Sequence, residues 1–513
     1  MQGSDRCAQL QSDAFTIILG ASAVNTRLLR GADTRRLARR EIGVRLEASA
    51  VVSARCVWSC RRGRVLAGRI VKLSASTIAT AFGLETPRRL YAELVVIAGV
   101  CVAAAFWGVF QFSQFEFTRL CRGFDFWFDS DPGRTVANIT SRWVIFHERS
   151  VLHPLYSLFV AGPFGALNDI GAPTSTVAAI YAGVQSALLS AAAFIAMRAM
   201  GLVRPDALLG VMLLNSTSAA IYWIGVPEWV VWGAASVLVC VLWIAAPETL
   251  RGRVTGAAQS LISASMVVTN WSIGMLASLI SDWPKLRWGQ AFAHTRDALA
   301  FMAGFTVLQY LLFPQSGAFL NFWSEASLFV APEAADRSLL QLSIEYFGQT
   351  LVAPNTVFVD SVNTQPAWGV LLTSGQDQGV AITPLTLGIF AAWLGLWVLG
   401  VMAALRGGVR APVMALVLGA LAYFYVLHMM LGGEIFLFSL QVAPFMTFVA
   451  LWGARGQYRN IVRGLCVLLI AGSLWHNYPA FSRDVAAHNA MDAGWLARPG
   501  HPAAEWVAET DCR

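Results

Sequence analysis

The chain predicts an all-α, polytopic membrane bundle of about eleven transmembrane helices, on three observations. Its 513 residues are 56% hydrophobic and only 13% charged, with a mean hydropathy of +0.57, a bilayer rather than a globular composition. From residue 90 onward apolar stretches recur, most of them near the roughly twenty residues that a ~30 Å hydrocarbon core requires. The 19 Trp and 30 Phe fit such a bundle, because aromatic rings collect at the headgroup level.

Residues 1–87 come first, a basic leader expected to be cytoplasmic and without regular order; one reading is a start site chosen too early. Residues 1–89 hold 16 Lys and Arg against 6 Asp and Glu, which leaves the rest of the chain at −3. A surplus of that kind keeps an N-terminus inside a membrane, so it reads as topology and not as a nucleic-acid surface. The apolar run at 15–24 is too short to span and has no basic region close before it, which argues against a signal peptide.

The membrane domain covers 88–476, with spans expected near 90–111, 153–168, 174–197, 206–225, 228–246, 257–280, 296–314, 382–404, 411–430, 432–452 and 460–476. Two connections are long, 112–152 and 315–381, and this count puts both on the extracytoplasmic side. The second is expected to form a lid, with an interfacial helix over 336–347. Residues 477–513 read as a short polar tail. A bacterial inner membrane, with the N-terminus cytoplasmic, is the expected setting.

Basic residues test the count, since short cytoplasmic loops carry Lys and Arg. Lys285, Arg287 and Arg296 comply, as do Arg406 and Arg410, and Arg455, Arg459 and Arg463. Arg198 and Arg204 fall outside, and so do Arg251 and Arg253. Either 153–168 is re-entrant or those arginines act on the outer face; the count in which 153–168 crosses is retained. It places Glu228 inside, where a carboxylate stabilises a first helical turn. The eight cysteines include no CxxC pair and no zinc-spaced cluster, so no metal site follows from them. Cys121 and Cys512 share the outer side, but nothing in the sequence brings them together.

The polar stretch 124–155, FDFWFDSDPGRTVANITSRWVIFHERSVLHPL, carries the candidate chemistry. Asp131 before Pro132 is a helix start: the carboxylate can cap free N–H groups, and Pro at the first helical position loses no bond. The helix is expected to run to about residue 146 and to lie in the interface, with Val136, Ile139, Trp143, Val144 and Phe146 on one face. Asp131 and Arg134, three residues apart, face the same way. Asp131 or Asp129 suits a proton acceptor, and Arg134, Arg149 and His153 suit a phosphate leaving group. Glu434, with His428 shortly before it, suits a sugar hydroxyl or an acceptor. The plain alternative is a set of solvated loop charges.

Asp131-Pro132-Gly133-Arg134 and the Leu152-His153-Pro154-Leu155 approach to a span resemble the first external loop of the GT-C glycosyltransferases, in particular the protein O-mannosyltransferase and lipid A aminoarabinose transferase group. That loop has an acidic pair, an Arg a few residues on, a helix along the membrane and a Lys-Pro-Pro-Leu-like approach to the second span. Here Pro132 replaces the second acid and the Lys is missing, so the choice of base between Asp129 and Asp131 stays open. The resemblance covers roughly residues 88–315. It implies transfer of a sugar from a polyprenyl-phosphate donor to a lipid, glycan or protein acceptor on the extracytoplasmic face. The implied partners are membrane lipids, that donor and an acceptor of unknown kind, with no nucleic acid. No cofactor is implied beyond the lipid-phosphate sugar as co-substrate. The alternatives are a transporter or flippase of lipid-linked sugars and a non-catalytic subunit of an envelope-glycan assembly.

Overall fold

The computed structural model describes residues 87–122, 127–128, 130–317, 338–362, 371–431 and 435–490. The leader, Asp129 and Glu434 lie outside them. Among the described residues six helices are long and apolar enough to cross a membrane, and most of the rest is also helical, as an integral membrane bundle requires. One element departs from all-α, an antiparallel pair of strands, β1 (Pro354–Val362) and β2 (Leu371–Val380), with Pro354 opposite Val380.

The order is α1 (Pro87–Phe112), α2 (Phe117–Arg122), α3 (Pro132–Thr140), α4 (Gly162–Asp169), α5 (Thr174–Ala199), α6 (Arg204–Ser216), α7 (Ser218–Trp223), α8 (Trp229–Ala245), α9 (Arg253–Met266), α10 (Trp271–Leu279), α11 (Trp288–Leu312), α12 (Leu339–Leu351), the two strands, α13 (Pro384–Ala403), α14 (Ala411–Leu431), α15 (Ile435–Leu451) and α16 (Arg459–Ala490).

α1 and α5 pack antiparallel. Arg198 pairs with Glu93 at 2.6 Å near one end, and the Ser186 hydroxyl donates to the Ala104 carbonyl at 2.6 Å further along. Gly108 makes this close approach possible, because a Cβ there would lie 2.6 Å from the Ala182 carbonyl oxygen. α1 therefore ends, and α5 begins, at the same end of the bundle. Everything between them returns to where it started, so the span expected at 153–168 does not cross. A π-turn at Ser157–Ala161 and the eight-residue α4 fill it, and Phe164 is buried within the protein. Hydropathy cannot separate a short apolar segment buried in protein from one buried in lipid.

A second revision offsets the first. The single span expected at 257–280 is two antiparallel helices, α9 and α10, joined by a turn at Val268–Asn270. α9 starts where Arg253 pairs with Asp297 at 2.5 Å and ends where the Ser265 carbonyl accepts the Leu155 N–H at 2.9 Å. α10 comes back to where Arg251 donates to the Ser281 carbonyl at 2.6 Å. Residues 174–256 are thus inverted relative to the count, while everything after 280 keeps its expected side.

With that inversion the four misplaced arginines join the others at one end. Arg198 and Arg204 clamp Glu93 at 2.6 and 2.9 Å. Arg459 and Arg463 clamp the buried Asp206 at 2.9 and 2.6 Å. Arg410 donates to the Ile244 and Ala245 carbonyls at the C-terminus of α8, where a cation meets the helix dipole. This is the basic end; the other is the loop end. The revision is directly testable. Thiol reagents that do not cross membranes are expected to label Trp143→Cys and Ile170→Cys, both exposed, from the same side of sealed vesicles. Labelling from opposite sides would restore a crossing at 153–168.

At the loop end, Trp127 and Phe128 are buried among Phe115, Tyr222, Phe436 and Phe481. Phe128 has φ of 48°, a conformation that costs a bulky residue about 1–3 kcal/mol and persists only where packing imposes it. α12 lies in the second long connection and starts three residues later than the helix expected there, with Leu342 and Tyr346 buried and Leu340 and Ile344 exposed. Residues 477–490 of the expected tail are instead the continuation of α16, and 491–513 lie outside the described residues. The 32 residues of α16 reach roughly 48 Å, more than the hydrocarbon core needs. There Asp484 accepts from Tyr222 and Thr356 at 2.6 and 2.9 Å, and Asn489 ties down residues 114–116. Cys121 is disulfide-bonded, whereas Cys101, Cys240 and Cys466 are free thiols.

Candidate functional site

α3 sets the floor of the site. It ends at Thr140, not near 146, because Ser141 is extended. Eight of its nine residues are buried, so it is an internal helix rather than one lying in the interface. Asp131 stands at its N-cap with Pro132 following, but the side chain makes no cap bond. Its carboxylate turns to Arg134 at 3.1 Å.

The next turn, Ile145–Val151, is pinned by His147. Its Nδ1 accepts from the Ser157 hydroxyl at 2.8 Å, and its Nε2–H donates to the Ser141 carbonyl at 2.9 Å. Burial holds this imidazole down to about 4, hence neutral. The Ser150 hydroxyl meets the Gly317 carbonyl at 2.9 Å, which joins the first long connection to the start of the second.

Asp131, Arg134, Arg149 and His153 line one cavity, with Thr135, Tyr156, Glu228 and Trp229 also on its walls. Four of the expected residues are thereby brought together. His428 is not among them. It is buried in α14, with its ring 5.2 Å from Phe438 and 5.5 Å from Tyr346. The cavity encloses about 30 Å³, room for roughly two waters or one small charged group.

Glu228 is the residue that sequence reasoning placed on the wrong face. It sits just before the first turn of α8 and is 4% exposed. Its Oε2 accepts from the Thr135 hydroxyl at 2.7 Å, and a relay from Tyr156 through Tyr181 ends on its own backbone carbonyl. Burial pushes its carboxyl up to about 7, and the nearby Asp131 charge adds to this; Thr135, Arg149 and Arg134 oppose it. The signal that could have located it was the pair of disobedient arginine loops on either side.

His153 also has a different character from the one expected. Its Nδ1 lies 2.8 Å from the Met266 carbonyl, so Nδ1 carries the proton. Burial, and to a lesser extent the charge of Arg149, hold it down to about 3. The imidazole is therefore held neutral, and its free acceptor nitrogen, the buried Nε2, suits a hydroxyl better than a phosphate. The ring packs 4.4 Å from Trp229.

The geometry predicts a pH dependence. As pH rises through about 7, Glu228 acquires a charge among Asp131, Arg134 and Arg149, and the cavity becomes less favourable to an anion. Affinity for an anionic ligand is expected to fall about tenfold from pH 6 to 8, or about 1.4 kcal/mol, and to stay flat in Glu228→Gln. The stability sign agrees: a carboxyl whose folded pKa is raised loses its contribution as pH rises through that value. An unchanged slope in the variant would remove Glu228 from the effect.

Among the described residues no group of three or more His, Cys, Asp or Glu is placed to hold a metal ion. No family model matches the chain, nor does any curated protein or solved structure. Fold and site define an α-helical integral membrane protein with a buried, charged cavity at its loop end.

Proposed function

We propose that the protein is a membrane glycosyltransferase that moves a sugar from a polyprenyl-phosphate donor to an acceptor outside the cytoplasm. The observation carrying this reading is the convergence of Asp131, Arg134, Arg149 and His153, with Glu228, on one cavity where the two long connections meet.

In this reading Arg149 and Arg134 stabilise the phosphate as charge develops on it, Arg being suited by its forked donors. Asp131 takes the proton of the attacking acceptor hydroxyl. The C–O bond from the sugar to the phosphate breaks as the new glycosidic bond forms, and the phosphate leaves on its lipid. His153 Nε2 and Glu228 position sugar hydroxyls. The cavity's small volume suits the charged group and the hydroxyls beside it, with the rest of the sugar and the lipid beyond its mouth.

Two features support an extracytoplasmic site. All twelve Lys and Arg of the short connections at the opposite end, from Arg198 to Arg463, fit the positive-inside rule once 153–168 does not cross. The disulfide at Cys121 also suits an oxidising compartment. A bacterial plasma membrane is the proposed setting. The test uses vesicles containing the protein, a short-chain polyprenyl-phosphate hexose and a membrane extract as the source of acceptor hydroxyls. Release of free polyprenyl phosphate is the expected result; translocation of the intact donor without release would support a flippase instead.

A further inference from the structure

A second cavity lies in the membrane-embedded half of the bundle towards the basic end, unrelated to the site above. It is an apolar cleft of about 590 Å³ between α1, α6 and α16, walled by Val96, Val100, Val211, Met212 and Ile470. Trp107, 5.9 Å from Tyr478, narrows it towards the loop end.

All three helices run from the basic end, and below the cleft they carry the two arginine clamps. Glu93 is three residues before Val96 on α1, Arg204 and Asp206 open α6, and Arg459 and Arg463 open α16. Arg204 to Leu208 is roughly 6 Å along the helix and Arg463 to Ile470 roughly 10 Å. Four arginines meet two carboxylates here, a surplus of two positive charges. Arg204, Arg459 and Arg463 each give Nε–H to a carboxylate and remain 36%, 39% and 37% exposed.

We infer that this cleft binds one anionic phospholipid from the leaflet at the basic end, its acyl chain in the groove and its phosphate on the guanidinium groups of Arg204, Arg459 and Arg463. Apart from Asn215 and Ser216 the lining is apolar, which suits an acyl chain, and the charge surplus selects an anionic over a zwitterionic headgroup. The chain's own leader, itself strongly basic, has the wrong sign for this end.

Gly99 provides a clean test, because it lines the cleft and a Cβ built there meets nothing within 4 Å. A large side chain at this position starts from open space and projects into the groove. The full chain in detergent, stripped of lipid, is titrated with dioleoyl phosphatidylglycerol and with dioleoyl phosphatidylcholine by native mass spectrometry. The wild type is expected to bind the first phosphatidylglycerol at least tenfold more tightly than phosphatidylcholine. Gly99→Trp is expected to lose that tight site, and Arg204→Gln, in which Arg198 still holds Glu93, to lose most of the preference for the anionic lipid. If Gly99→Trp does not fold, Met212→Trp at the exposed rim serves the same purpose. Equal affinity for the two lipids, or an unaltered phosphatidylglycerol site in the filled variant, would overturn the inference.

Discussion

Asp131→Asn is expected to lower sugar transfer by about 10²–10⁴-fold, the usual worth of a positioned proton acceptor, while the protein inserts and folds as before. Asn matches the carboxylate in shape and keeps an acceptor for Arg134, which lies 3.1 Å away. It cannot take a proton. The fold has little stake in the charge, since the Asp131 side chain makes no cap bond to α3 and the helix start rests on Pro132. Release of polyprenyl phosphate is the readout. The same assay on Glu228→Gln separates the two carboxylates of the cavity. A large loss with Asp131→Asn and a modest one with Glu228→Gln assigns the proton to Asp131. The reverse pattern moves the base to Glu228, and full activity in both folded variants would sink the catalytic reading of the cavity.

The largest structural effect is expected at Gly400. α13 and α15 touch there with almost no separation, since a Cβ on Gly400 would sit 1.8 Å from the Val449 carbonyl oxygen and 3.0 Å from its carbon. That neighbour is backbone and cannot rotate away. Gly400→Leu must push the two helices apart, at a cost of more than about 4 kcal/mol, in the range reached only by severe overpacking or cavity creation. Folded, monodisperse protein is expected to disappear. Gly388→Leu, exposed on the same helix as Gly400 with nothing within 4 Å of an added Cβ, is the internal control. There the change is expected to be neutral or slightly stabilising, because Leu is the better helix former by roughly 1 kcal/mol. Normal thermal unfolding of Gly400→Leu would show that α13 and α15 do not meet as described.

Much of the fold is legible in the chain, for physical reasons that can be named. Backbone groups in a bilayer must be satisfied within their own segment, so long apolar stretches become helices, and composition alone locates α1, α5, α13, α14 and α15. The polar stretch that holds Asp131, Arg134, Arg149 and His153 stands out because charges are rare near spans and costly within them. The chain path through α3 and the turn at Ile145–Val151 brings these four into one cavity.

The rest was decided by tertiary contacts. Whether residues 157–169 cross depends on what lies around them, and they turn back under α3 and beside α5, with Val160, Ala161 and Phe164 buried there. Whether 257–280 is one helix or two depends on the turn at Val268–Asn270, where Asn270 reaches across to the Gly233 carbonyl at 3.0 Å. These two features have opposite effects on sidedness and cancel after residue 280, so an end-to-end count is blind to both. Only the stretch between them is inverted, and Glu228 lies in it. Similarly, His153 reads as a potential cation in the sequence, and only its burial beside the Met266 carbonyl makes it a neutral acceptor. Hydropathy and charge placement are enough to establish a helical membrane protein with a charged cluster at one face. The tertiary structure decided which charges share that face, because in a bundle the side of the membrane a residue occupies is a property of every crossing before it.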